Sequence, residues 1–230
     1  MSEGAKPFDY SLVVYGGRPF AQRLSRRTLV AVLRRLLRLQ VAGLDHLPRE
    51  GGFILVANHL HALDPAIGLL LMPRRVLGVV KEKWNRVPFR WILGAMSDVV
   101  YVGSSNRRAL DVAVAELRAG GVVAILPEGT RSRTGAMAGG HRGVAVLAAR
   151  AGRPVVPAAA FGQELAGWFW RRGRRVPVEV RIGRPMAPPR LGAGKVELAR
   201  YTNKVMLAVA ALLPEAYRGV YGRAAQRTTQ

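Results

Sequence analysis

The chain has 230 residues, 36 basic against 14 acidic side chains, a formal charge of +22 and no cysteine. That length supports one domain with a sizeable core, and the missing cysteines exclude thiolate nucleophiles, disulfides and cysteine-ligated metals. The charge calls for a polyanionic partner, either nucleic acid or an acidic membrane surface.

Met1 to Leu12 carries Glu3 and Asp9 without an apolar core of signal-peptide length, so no leader is expected. From Arg18 to Val41 the apolar residues Phe20, Leu24, Leu29, Val30, Leu33, Leu36 and Leu37 recur at helical spacing. Arg23, Arg27, Arg34 and Arg38 fall largely on another face. A basic amphipathic helix of this kind lies in a membrane interface. Arg34-Arg35 interrupts the apolar run well before the roughly 20 residues that a spanning helix needs. The other reading is a helix that packs its apolar face on the domain and shows its arginines to water. Residues 1–45 are expected to form this arm and 46–230 the domain proper.

Phe53 to Ala57, five apolar residues after Gly51-Gly52, predicts a short buried strand. Asp64-Pro65 then reads as a helix start, with Asp64 as N-cap and Pro65 at the first helical position. His59 falls on the turn between them, separated from Asp64 by four residues. An imidazole there can take a proton from an attacking hydroxyl, while a carboxylate on its other nitrogen fixes the tautomer. The competing reading makes Asp64 a helix cap only and His59 a polar loop residue.

Further strands are predicted at 76–80, 99–102, 122–126, 155–160 and 176–182, and helices at 65–72, 85–95, 107–119, 141–151 and 195–213. This alternation predicts an α/β domain, a mostly parallel sheet flanked by helices. Arg223 to Gln230 reads as a frayed tail.

The strand ending at Leu126 runs into Pro127-Glu128-Gly129-Thr130-Arg131-Ser132. Together with Asn58, His59 and Asp64, this block resembles the glycerolipid acyltransferase family, whose best-known members are the 1-acylglycerol-3-phosphate acyltransferases. That family carries an Asn-His-four residues-Asp block and a Phe-Pro-Glu-Gly-Thr-Arg-Ser block, the latter here with Leu126 in place of Phe. Lys81-Glu82 after a strand, and Pro154-Val155-Val156-Pro157, fit in the same order. The resemblance therefore spans Val41 to Pro185.

The resemblance implies a glycerol-3-phosphate acyltransferase-like fold and an O-acyltransferase without a cofactor. Its reaction moves an acyl chain from acyl-CoA or acyl-ACP, with acyl carrier protein as a partner in the second case, to a hydroxyl of a lysophosphatidic acid-like acceptor in phospholipid synthesis. His59 is then the general base and Asp64 its orienting carboxylate. Glu128, Gly129, Thr130 and Arg131 are placed in acceptor binding. Lys81 is a phosphate partner on electrostatic grounds, and the planar fork of Arg131 matches a phosphate better than a lysine does. An internal Glu128–Arg131 ion pair and a turn-forming role for Thr130 and Ser132 are the alternatives.

One departure concerns the acceptor. The family's second motif places an arginine near a strand end, whereas this chain reads Tyr101-Val102-Gly103 there, with Arg107 and Arg108 following at a helix start. Glycerol 3-phosphate, a lysophospholipid or a glycolipid precursor stays open as acceptor.

Trp168-Phe169-Trp170-Arg171-Arg172-Gly173-Arg174-Arg175 adjoins aromatics to a basic run. Such a segment suits the headgroup level of a bilayer, and the same composition can stack on single-stranded nucleic acid. The lipid substrate implied above favours an anionic membrane over nucleic acid. The expectation is a peripheral or monotopic protein on the cytoplasmic face, with a non-catalytic basic binding protein as the remote alternative. His46, His59, His61 and His141 show no metal-binding spacing, and a metal is not expected. The chain has no Walker-type loop and no Gly-x-Ser-x-Gly elbow, which argues against nucleotide and serine hydrolases.

Overall fold

The computed structural model describes residues 6–7, 20–72, 74, 76–86, 98–103 and 107–222. Its strands are β1 (Lys6–Pro7), β2 (Leu37–Ala42), β3 (Phe53–Ala57), β4 (Val76–Lys81), β5 (Asp98–Val102), β6 (Val122–Ile125), β7 (Val155–Phe161) and β8 (Val176–Ile182). Its helices are α1 (Phe20–Leu36), α2 (Asp64–Leu71), α3 (Arg107–Arg118), α4 (Gly143–Ala151), α5 (Ala166–Trp170) and α6 (Lys195–Leu212). The strands form one sheet in the order β1-β2-β8-β7-β3-β6-β4-β5, in which only the β1–β2 and β7–β8 pairings are antiparallel.

The central strands explain the apolar runs of the sequence. Phe53, Ile54, Leu55 and Val56 are all buried because β3 lies between β6 and β7 with both faces covered. Phe53 and Leu55 face one layer with Val156 and Ala158, under residues of α1, α2 and α5. Ile54 and Val56 face the other with Val155 and Ala159, under residues of α3, α4 and α6. The alternation of β3 and β7 thus builds a three-layer α/β/α domain from two cores.

The arm departs from the expected helix over Arg18 to Val41. α1 stops at Leu36, and residues 37–42 form a sheet strand paired in parallel with β8 from Leu37↔Val176 to Ala42↔Arg181. Leu37, Leu39 and Val41 turn inward and Arg38 outward, a period of two. The same leucines satisfy helical and strand spacing at the junction, and ladder bonds to β8 decide between them. Residues 37–42 therefore lie inside the domain, ahead of the expected boundary at 46.

α1 itself is divided along its length. Val30 and Leu33 are buried in the core beside Leu29 and Leu36, while Phe20 and Leu24 are 73% and 55% exposed. The helix expected over 85–95 falls, from residue 87 onward, outside the described residues. No helix among the described residues is long and apolar enough to cross a membrane.

Candidate active site

Parallel strands point their carboxyl ends the same way, and the crevice there is where open α/β sheets bind ligands. Neighbouring strands β7, β3, β6 and β4 are parallel and deliver, at or just past their ends, Gln163, His59, Glu128 with Gly129, and Lys81 respectively. Residues far apart in sequence are thus gathered on one rim.

His59 Nδ1 lies 2.8 Å from Asp64 Oδ2. A carboxylate only accepts, so Nδ1 carries the hydrogen and Nε2 keeps its lone pair for a substrate proton. The same Oδ2 receives the His61 backbone N–H at 2.9 Å, and Oδ1 receives Gln163 Nε2 at 2.9 Å. These three bonds correct the expected N-cap role of Asp64. The helix begins at Asp64 with Leu63 in the N-cap position, and the carboxylate turns back toward the histidine turn. Pro65, in the first turn, keeps the helix start rigid.

The dyad is shielded by its setting. Asp64 is 7% exposed, and the His59 side chain 17%. A small apolar cavity of about 30 Å³, lined by Ile67, Gly68, Ala158 and Ala160 among others, adjoins Asp64. Such surroundings strengthen the His59–Asp64 attraction relative to water.

Asn58 is buried and exchanges two bonds with β7, its Nδ2 donating to Ala160 O and its Oδ1 accepting from Ala160 N–H, both at 2.9 Å. It thereby fastens the turn to the sheet. Glu128, 5% exposed, takes the His59 backbone N–H on Oε1 at 2.9 Å and the Ala138 N–H on Oε2 at 2.8 Å. Burial pushes its carboxyl above the ordinary glutamate value, against those two N–H groups. Its carboxylate ties two loops together and makes no ion pair with Arg131.

Ser132 N–H donates to His59 O at 2.7 Å, a second link between the His59 turn and the loop after β6, and Ser132 Oγ closes a turn on Ala136 O. Thr130 and Arg131, between these anchors, are exposed. Gly129 sits at φ +68, and a β-carbon there would lie 3.6 Å from Lys81 Cε and 3.2 Å from the ring of His141. Its bare backbone therefore opens toward Lys81 and His141, which share that side of the rim. Arg107 and Arg108 are exposed in the first turn of α3.

Sequence reasoning missed two members of this assembly. Gln163 follows β7 with no spacing that links it to Asp64, and His141 stands ten residues beyond Arg131 in a glycine-rich loop. Only the tertiary contacts bring them in. Among the described residues no cluster of three His, Cys, Asp or Glu side chains fit to hold a metal ion is present.

A mostly parallel α/β domain with a part-buried His–Asp dyad at its strand ends and exposed cations beside it defines a class of site suited to activating a hydroxyl. Comparison with known proteins gives the family. Residues 38–161 match the Acyltransferase family, and the chain belongs to it. A 1-acyl-sn-glycerol-3-phosphate acyltransferase of Borreliella burgdorferi is 29% identical over 128 residues, covering 53% of this chain and 50% of that protein. An enzyme of the same name from Limnanthes douglasii is 28% identical over 157 residues, covering 64% and 54%. The chain thus spans about half the length of these curated relatives. The fold is that of the crystal structure of the 1-acyl-sn-glycerophosphate (LPA) acyltransferase PlsC from Thermotoga maritima. The TM-score is 0.59 at 23% identity, over 91% of this chain and 78% of the other.

Proposed function

We propose that the chain is an O-acyltransferase that esterifies a hydroxyl of a lysophosphatidic acid-like acceptor with the acyl group of a CoA or acyl carrier protein thioester. The observation that carries this reading is the 2.8 Å contact of His59 Nδ1 with Asp64 Oδ2, which leaves Nε2 as the base. His59 takes the hydroxyl proton as the acceptor oxygen attacks the thioester carbonyl, and Asp64 stabilises the imidazolium. The tetrahedral adduct then collapses, the C–S bond breaks, and the thiolate leaves with the proton returned by His59. The products are the ester and a free thiol. No cofactor or metal takes part in these steps.

Arg131, exposed beside the dyad, and Lys81, next to Gly129, bind the acceptor's phosphate, with Thr130 and Gly129 shaping the loop. Glu128 supports acceptor binding by holding that loop on the His59 turn. The names of the relatives support lysophosphatidic acid as acceptor. A second reading, with glycerol 3-phosphate, a lysophospholipid or a glycolipid precursor, is favoured by Tyr101-Val102-Gly103 at the end of β5, where the resemblance leads one to expect an arginine.

A panel of these acceptors with labelled acyl-CoA and acyl-ACP tests the reading. Lysophosphatidic acid is expected to give the highest kcat/KM, and His59→Ala to lose about 10² to 10⁴-fold in kcat while staying folded. Undiminished transfer by the variant would remove His59 from the role of base.

The partner surface we propose is an anionic bilayer, docked peripherally. Phe20 and Leu24 on α1 and Trp168 and Trp170 on α5 are exposed, and Arg172 stacks over the Trp168 ring at 4.1 Å. Trp170 Nε1 donates to Leu36 O at 3.4 Å, so the end of α1 and α5 stand together at the carboxyl-end rim. Each cation near an anionic leaflet contributes about 1 kcal/mol. In flotation with phosphatidylglycerol vesicles, Phe20→Ser/Leu24→Ser/Trp168→Ser should bind markedly less than the parent chain. Equal binding of both would rule this surface out.

A further inference from the structure

We propose that Gln163 is a positioning residue for the His59–Asp64 pair, one whose side-chain amide sets the angle at which the aspartate meets the base. This role rests on the acyl-transfer reading of the site. Gln163 is wholly buried, and its Nε2 donates both to Asp64 Oδ1 at 2.9 Å and to Ala160 O at 3.1 Å. The orientation of the amide follows from its partners, since both are acceptors and the reversed amide would set its oxygen against a carboxylate oxygen and a carbonyl.

The other end of the amide supports a role in the site. Gln163 Oε1 is buried with no hydrogen-bond partner among the described residues. A side chain placed for packing or satisfaction alone would not keep a carbonyl orphaned in the core. What this placement secures is an N–H aimed at Asp64. With Oδ1 held by Gln163 and Oδ2 shared between His61 N–H and His59, the carboxylate has no free rotation left.

The backbone holding Gln163 is itself over-determined. Gly162 has φ +96, and a β-carbon on it would stand 2.2 Å from Pro177 O, so this turn requires glycine. Glu164, next along, takes Gly162 N–H on Oε2 at 2.8 Å and Tyr217 O–H on Oε1 at 2.7 Å. Asn58 binds the same Ala160 carbonyl that Gln163 does. Through Ala160 the side chains on both sides of His59 share one anchor on β7.

Two variants test this, each assayed across pH with the intact chain. Gln163→Met keeps similar bulk and removes the N–H, and should lower kcat by tenfold or more while KM for donor and acceptor stays within about twofold. Gln163→Glu can donate to Asp64 only while protonated. The titratable groups facing position 163 are Asp64, with His59 behind it, and neighbouring Glu164 bonded to Tyr217; Glu128 meets the far side of the His59 turn. The introduced carboxyl donates to Asp64 only while it holds a proton, so the activity of this variant relative to the parent chain should fall as pH rises.

Parental kcat in Gln163→Met, or a parental pH profile in Gln163→Glu, would overturn the proposal. Unfolding of both variants would overturn it too, by making the amide a packing element. Should the parent chain itself transfer no acyl group, the acyl-transfer reading fails instead, and the two failures are distinct.

Discussion

The turn after β3 and the loop after β6 face each other across one rim but are built in opposite ways. In the first, Asn58, the His59 backbone, Asp64 and the His61 backbone all find fixed partners, most of them buried. In the second, Glu128 and Ser132 are pinned at either end, while Thr130 and Arg131 between them stay exposed. Proton transfer demands fixed geometry to within a fraction of an ångström, and ordering the groups beforehand removes that entropy from the reaction. Charge recognition by a long guanidinium tolerates motion, and an exposed side chain meets a ligand without first losing a partner. Under the proposed function, the contrast suits the rigid turn to chemistry and the open loop to recognition.

The contrast breaks most visibly at Asp64. Asp64→Asn keeps the shape but presents an amide that can hold His59 in the wrong tautomer, so kcat should fall on the order of 10³-fold with KM little changed. Steady-state kinetics with both substrates check this, and a loss confined to KM would move Asp64 out of the proton-transfer step.

Glu128 is the hinge between the two regions. Glu128→Gln turns one acceptor into a donor facing a backbone N–H, at a cost of about 1–3 kcal/mol. A pH effect goes with it. Burial raises the folded-state value above 4.5, so the folded protein binds a proton that the unfolded chain has released. The stability from this group is complete below 4.5 and declines as pH rises through the folded-state value. Urea midpoints measured upward from pH 4.5 should carry that decline in the parent chain and lack it in Glu128→Gln. Parallel slopes would show that Glu128 does not titrate in this range.

The smallest effect belongs to the open loop. Arg131→Ala should raise KM for a phosphorylated acceptor about tenfold, corresponding to about 1.4 kcal/mol, and leave kcat and thermal stability nearly unchanged. A large loss of stability would place Arg131 inside the fold rather than on its binding face.

Much of this architecture could be read from the chain in advance. The continuous apolar runs at β3, β6 and β7 announced central parallel strands, since burial on both faces removes polar alternation. The strand at 176–182 matched its prediction residue for residue, because its alternating Val176, Val178, Val180 and Ile182 admit no helical reading. The end of the arm was ambiguous. Leu33, Leu36, Leu37, Leu39 and Val41 serve either period, and the decision rested with β8, a strand 139 residues onward from Leu37 at Val176.

Local pattern settled the central strands, the turn that carries His59, and an aspartate close enough in the chain to reach its ring. Tertiary structure decided which way Asp64 turns, that Glu128 binds backbone rather than Arg131, and that Gln163 arrives at the dyad. The physical reason is range. Short spacings fix which groups can meet along one turn, whereas hydrogen bonds between strand ends depend on sheet order, which no local pattern encodes.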